Sequence, residues 1–390
     1  MAVVFQFESQ VSAAGLSKQI KTELNDVFRR NLRYAISHRR EVTGHEIISV
    51  KTQELRCWNL LSSLEELIKV GRYEIHSIYS LKEKHIEWFI SRWIEKKLSY
   101  GTIANKLSYL KALAIWLRKP NIIKDLDCYA QLKVLPKRTG VADGDKSWSS
   151  KDIDVRELIE KVARYDKYVG IQLALQLAYG LRRQESMMLI PASAYIQVNG
   201  QRLLLIDRGA KGNRERVVKR YLDDDADMRI FELAKLLSND KTGSTIPSNK
   251  SLDQWINYYK SVMKKFGITK AELGITSHGL RHQFLNDLYE ILTGSPSAAR
   301  GGEMPPIDLH KVAQLEVSKM AGHNRPGISN AYISSHAHVE KKKRELISDE
   351  QIRTALIESD GNKMHAAKKL NLSRSTLYVR IGQMSDVTTN

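Results

Sequence analysis

"AGHNRPGISNAYI", residues 321–333, sets His323 nine positions before Tyr332 in a stretch whose polar residues break any apolar pattern. By itself the pairing says little, because Gly-His dipeptides and single tyrosines are common. Its reading is decided by three other short stretches. "AYGLRRQESMML" (178–189) puts Glu185 one helical turn after Arg182. "GAKGNRERVV" (209–218) sets Lys211 between glycines in a turn, and "SHGLRHQF" (277–284) holds His278 three positions before Arg281.

The rest of the composition says what kind of partner such residues meet. With 390 residues the chain is long enough for two or three domains, each with its own core. Its 62 Lys+Arg against 44 Asp+Glu give a net charge of +18, which favours a polyanion through phosphate contacts and counterion release. Cys57 and Cys128 lie far apart, so neither a disulfide framework nor a cysteine zinc site is expected. The most apolar run, "VGIQLALQLAYGL" (169–181), is 13 residues long with two glutamines, too short and too polar to span a bilayer. The start, "MAVVFQFESQVSAAG", lacks the basic region of a signal peptide. These features predict no membrane association and a cytoplasmic, nucleoid-associated protein of bacterial type.

Apolar spacing predicts the organisation. Leu60, Leu64, Leu67 and Ile68 form one helical stripe; Ile86, Phe89, Ile90 and Trp93 a second; Ile103, Leu107, Leu110, Ala114 and Leu117 a third, on a helix read as starting after "SYGT". We therefore expect an N-terminal extension of unassigned role (1–49), a helical domain (50–130) and a linker (131–147). Helices resume at Ser150. In "AYIQVNGQRLLLID", Asn199-Gly200 between β-prone runs signals a hairpin, and a second turn precedes Val217 and Val218, giving a three-stranded antiparallel sheet in a helical domain. The Gly/Pro/Ser-rich loop 293–308 is expected to be mobile. Residues 352–381 read as three short helices with a tight break at "NLS", a helix-turn-helix signature. The fold class is mainly α with a small antiparallel β-sheet.

In chain order, Arg182, Lys211, His278-x-x-Arg281, His323 and Tyr332 resemble the tyrosine recombinase (phage integrase) family, whose pattern is Arg, Lys, His-x-x-Arg, His or Trp, then Tyr. The resemblance spans roughly 148–340 and fills all six positions; the helical 50–130 region is similar in kind to that family's core-binding domain. It implies a site-specific DNA recombinase. Tyr332 would be the nucleophile that keeps the cut strand as a 3'-phosphotyrosine. His278 would assist proton transfer, Arg182 and Arg281 would hold the nonbridging oxygens, and His323 would add a hydrogen bond to the same phosphate. Lys211 would protonate the leaving 5'-oxygen, though Arg208, Arg214 and Lys219 crowd nearby and only register singles it out. Glu185 would support Arg182. No cofactor, metal or ATP is called for, because two arginines and a lysine supply the positive charge that magnesium supplies elsewhere.

The resemblance further implies a homotetramer on two double-stranded DNA recombination sites, with room for DNA-bending accessory proteins. Three departures mark the chain: a long gap from Arg281 to His323, some 50 residues before the helical domain, and a C-terminal helix-turn-helix (within 341–390). The last resembles Fis-type proteins at Gly361, Asn362, Ala366, Ala367, Leu370, Ser373, Thr376 and Leu377. Its second helix would turn Arg374, Ser375, Thr376 and Tyr378 to DNA with Lys368 and Lys369 near the backbone, or else contact protein. Two other activities stay open on the sequence: a noncatalytic helix-turn-helix regulator, and a topoisomerase-like relaxing enzyme.

Overall fold

The structure, a computed structural model, describes residues 5–35, 47–137, 139–199, 201–210, 215–219, 225–323 and 325–384. It divides into two compact units, Met1–Thr139 and Gly140–Asn390.

In the first unit, helices α1 (Glu8–Ala13), α2 (Lys18–Asn31), α3 (Val50–Lys69), α4 (Glu83–Glu95), α5 (Tyr100–Trp116) and α6 (Ala130–Lys133) follow one another. Serine caps set several starts: Ser17, Ser49 and Ser99 each accept from a backbone N–H three residues on. The Ser99 cap is why α5 begins at Tyr100, inside "SYGT" rather than after it. Of residues 1–49, read from sequence as an extension outside the helical domain, the described helices α1 and α2 pack into that domain. Val11, Ile20, Leu24 and Phe28 share one core with Leu60, Leu64, Phe89, Trp93, Ile103 and Leu107. Burying each such side chain stabilises by roughly 1.5–3 kcal/mol. The expected linker is likewise shared out, because its apolar residues have cores to enter. Leu132 is buried in the first unit, while Ala142 is buried in the second.

The second unit opens with α7 (Val155–Tyr165), α8 (Lys167–Tyr179), α9 (Arg183–Met188) and α10 (Pro191–Ala194). Strands β1 (Tyr195–Val198), β2 (Gln201–Ile206) and β3 (Arg216–Lys219) form an antiparallel sheet of order β1-β2-β3. Val198 pairs with Gln201 around a two-residue turn, and Asn199 takes the left-handed backbone (φ 48°) that such turns require. Helices α11 (Asp225–Leu236), α12 (Leu252–Lys265), α13 (His278–Thr293), α14 (Ile307–Met320), α15 (Asn330–Ile333) and α16 (His336–Glu345) follow. Trp148, Val162, Leu173, Trp255, Tyr259 and Leu280 pack one core; Tyr179, Leu204, Val218, Phe231, Leu285, Val317 and Ile333 pack another.

The loop 293–308, expected to be mobile, is tied down. Arg300 donates to Asp145 (3.2 Å) and Glu290 (3.2 Å) and ion-pairs with Asp287 (2.7 Å), while the Ser297 hydroxyl donates to buried Asn286. Composition cannot reveal partners that lie far away in sequence. Helices α17 (Asp349–Ile357), α18 (Lys363–Lys369) and α19 (Arg374–Gln383) close the chain around their own core of Ile352, Ala355, Ala366, Leu377 and Ile381. Ser348, Asn362 and Ser373 cap them, and Asn371 makes the left-handed break (φ 52°) before α19.

Candidate active site

α8 ends at Gly180, whose φ of +60° and 2.4 Å distance from an added Cβ to the Phe284 ring leave no room for a side chain. The chain then turns so that Arg182 caps α9. The fully buried Glu185 carboxylate accepts from the Arg182 backbone N–H (2.6 Å) and from Arg182 Nη1 (2.5 Å). It also takes a bidentate pair from Arg216, with Nη2 at 2.8 Å, and Arg281 Nη1 stands 3.9 Å away. Burial alone would raise the Glu185 pKa, but Arg216, then Arg281 and Arg182, outweigh it and hold it at about 2.

A second anchor joins the same arginines. The Ala321 carbonyl accepts from both Arg182 Nη2 (2.8 Å) and Arg281 Nη2 (2.6 Å), and Arg281 Nη1 donates to the Gly180 carbonyl (2.5 Å). Gly322 follows at φ +67°, and a Cβ there would stand 3.0 Å from Arg216 Cδ. The half-buried His323 comes next, its backbone N–H held by the Ser318 carbonyl at 2.9 Å. Three guanidiniums thus surround one carboxylate, an excess of positive charge whose geometry is fixed by buried carbonyls.

Tyr332, on the one-turn helix α15, is 6% exposed, and its hydroxyl accepts from Arg281 Nε at 3.3 Å. The His278 and His282 rings lie 6.2 and 4.9 Å from the Tyr332 ring, centroid to centroid. His278, the first residue of α13, is exposed. Desolvation by the neighbouring protein, with Arg281, Arg182 and Lys146 adding positive charge, lowers its pKa to about 4. Burial, then His278 and Lys146, lowers that of His282 to about 3. Both imidazoles are therefore neutral at pH 7.

Arg182, Glu185, Arg281 and Tyr332 come together through direct contacts; His278 joins through its ring, and His323 through its backbone beside Ala321. Lys211 lies outside the described residues. What flanks it is anchored: Gly209 (φ +73°) backs so closely on α9 that a Cβ would stand 2.6 Å from the Gln184 carbonyl oxygen, and Arg216 binds Glu185. In the helix-turn-helix, Tyr378 is exposed and stacks under Arg374 (5.5 Å), whereas the Thr376 and Ser375 hydroxyls bond to the Ser373 cap. Lys369 is ion-paired to Glu358 at 2.5 Å, and Lys368 is exposed.

Sequence reasoning missed three residues. Arg216 had a signal: it lies two positions from Val218 on a strand, so the period of two puts both on the core face, where an arginine requires a carboxylate. His282 is one turn beyond His278 on α13, hence on the same face. Asn286, whose Nδ2 donates to the carbonyls of His282 (2.8 Å) and Tyr332 (3.3 Å), gave none.

Family models match three stretches: an integrase over residues 138–287, a phage integrase N-terminal domain over 42–120, and a bacterial regulatory protein of the Fis family over 343–384. The two integrase models together take in more than half of the chain. The XerH site-specific recombinase bound to palindromic difH substrate is 15% identical with a TM-score of 0.50, over 86% of this chain and 92% of that one, a likeness of fold. The Tn1549 transposon integrase in complex with transposon right end DNA is 16% identical (TM-score 0.45; 74% and 93% covered). A lambda integrase dimer bound to a COC' core site is 14% identical (TM-score 0.47; 74% and 73%). No curated protein matches the sequence.

Proposed function

This chain belongs to the tyrosine recombinase (phage integrase) family of DNA strand-breaking and rejoining enzymes, and from that premise we propose that Tyr332 cuts DNA at specific sites and holds the cut end as a 3'-phosphotyrosine. The observation that carries this reading is the Tyr332 hydroxyl 3.3 Å from Nε of Arg281, a guanidinium that shares the Ala321 carbonyl with Arg182.

The Tyr332 oxygen attacks phosphorus as neutral His278 takes up the phenol proton. Arg182 and Arg281, with His323, bind the nonbridging oxygens as charge builds on them. The 5'-oxygen leaves with a proton from Lys211. Glu185 and Arg216 align the two phosphate-binding arginines. Rejoining is the reverse: a 5'-hydroxyl attacks the phosphotyrosine, so the ester's energy is conserved and ATP is not consumed. The guanidiniums supply the positive charge, and cleavage is expected to need no divalent metal.

Exchange between two sites involves four strands, and we assign one protomer to each cleaved strand. The helix-turn-helix α17–α19 would read DNA flanking the core site, with Arg374, Ser375, Thr376 and Tyr378 toward bases and Lys368 toward phosphate. Lys369, held by Glu358, contributes there only by leaving that pair. The DNA-rich bacterial cytoplasm is the setting this activity implies, and a mobile element is the DNA it would serve.

Tyr332→Phe deletes one hydroxyl and no charge, so it should abolish the covalent protein–DNA adduct while binding stays within about threefold. Residual adduct in that variant would place the nucleophile elsewhere. A wild-type enzyme that forms adducts and relaxes supercoils without exchanging strands would favour the topoisomerase-like reading.

A further inference from the structure

Two residues beyond Tyr332, Ser334 adopts φ 61° and ψ −169°. This region of backbone space is open essentially to glycine alone, and a side chain held there is strained. Such a residue persists only where its surroundings over-determine it. Ser334 is 1% exposed, and what surrounds it is specific. Its hydroxyl donates to the Ala142 carbonyl (2.6 Å), and its N–H donates to the Asn330 carbonyl (3.1 Å). That same Asn330 carbonyl accepts from the Ala142 N–H at 2.8 Å. Both backbone polar groups of Ala142 are thus bonded to the two residues that bracket the tyrosine's helix α15.

Ala142 belongs to the segment that carries the chain from the first unit into the second. Three residues on, Asp145 binds Arg300 (3.2 Å) in the loop whose Ser297 holds Asn286, and Asn286 in turn donates to the Tyr332 carbonyl (3.3 Å). The entering segment therefore grips the tyrosine's backbone from both sides, directly at Asn330 and Ser334 and through the 293–308 loop at Tyr332 itself.

We propose that Ser334 is a positioning residue, a strained latch that fastens the tyrosine's helix to Ala142 and makes the aim of Tyr332 depend on where the segment entering from the first unit lies. This rests on Tyr332 being the nucleophile. With the latch closed, α15 presents the hydroxyl to Arg281. When the entering segment shifts, the strain at Ser334 favours a relaxed backbone that swings α15 away.

Two substitutions separate strain from bond. Ser334→Ala removes the hydroxyl but leaves the strained backbone; Ser334→Gly removes the hydroxyl and relaxes the backbone. The probe is a nicked suicide duplex bearing the site that the full-length protein selects from a random DNA pool. Well below either melting temperature, where both variants are folded, the latch predicts that the rate follows the backbone: Ser334→Ala, unfastened but still strained, forms adduct more slowly than Ser334→Gly, in which the closed geometry is unstrained. Ala would be about tenfold slower than wild type and Gly between the two, with DNA binding within about threefold of wild type in both.

A residue that merely supports the fold leaves the rate of the folded variants unchanged, so both reacting at the wild-type rate, or Gly reacting no faster than Ala, overturns the latch. Should neither variant fold, amide exchange in the unaltered protein decides: the Ala142 and Ser334 N–H groups should exchange as one protected unit. An Ala142 amide that exchanges a hundredfold faster or more, on the order of 3 kcal/mol less protected, overturns it as well. Adduct formation by Tyr332→Phe would instead undo the reading beneath the proposal.

Discussion

A carboxylate taken wholly out of water survives as an ion only if cations replace its hydration, and Glu185 has three of them. The sequence exposed half of this arrangement. Arg182 and Glu185 are a turn apart and legible as a pair, but Arg216 and Arg281 reach the same carboxylate across 31 and 96 positions of sequence, and no local pattern announces that. The histidines make a prediction at the same scale. Desolvation by the neighbouring protein and nearby cations hold the His278 pKa at about 4, so the proposed proton acceptor stays neutral well below the ordinary histidine value of about 6.5. Cleavage measured at limiting DNA should therefore hold constant from pH 7.5 to about 5 and fall only below that. Stability should behave differently. A histidine whose folded pKa is lowered contributes stability present above its unfolded value and lost as pH falls toward the folded one, so the melting temperature should begin to drop below pH ~6.5, before the rate does. A cleavage limb centred near pH 6.5 would mean that the ring is not so enclosed.

Among elements, those with their own caps and stripes were readable: α3 to α5, the Asn199-Gly200 hairpin and the three terminal helices each carry their determinants within a dozen residues. The elements misread were those whose partners are distant. Helices α1 and α2 join a core built by residues 57–132, and the 293–308 loop is fixed by Asp145. The β2–β3 hairpin brings Arg216 to the site. Its base is bound to α9 twice, at Gly209 and through Arg216. Gly209→Ala adds a Cβ that would stand 2.6 Å from a backbone oxygen of α9 and strains a φ of +73°, so the hairpin must lift. If Lys211 protonates the leaving oxygen from that hairpin, the variant should cleave ordinary DNA at least about tenfold more slowly, yet recover most of its rate when the bridging 5'-oxygen is sulfur, which leaves without a proton. Equal losses on both substrates would reduce the hairpin to phosphate binding.

At the scale of the molecule, the helix-turn-helix stands on its own core and caps, from Ser348 through Met384, and this independence is what made it legible. A cut after Glu350 would leave a stub of α17, whereas a cut after Leu346 removes the module whole. Truncation there should preserve adduct formation on the core site while weakening binding to DNA that extends beyond it. Unchanged footprints with lost synapsis would make the module a protein contact instead. The central claim is narrower than any of these: one phenol oxygen, held by Arg281, takes the phosphate. Trapping the full-length enzyme on a nicked duplex in excess EDTA, digesting the adduct and sequencing the nucleotide-bearing peptide by mass spectrometry tests it directly. The account predicts a 3'-phosphonucleotide on Tyr332 alone; a nucleotide on Tyr289, Tyr378 or any other residue, or adduct formation only with divalent metal, would contradict it.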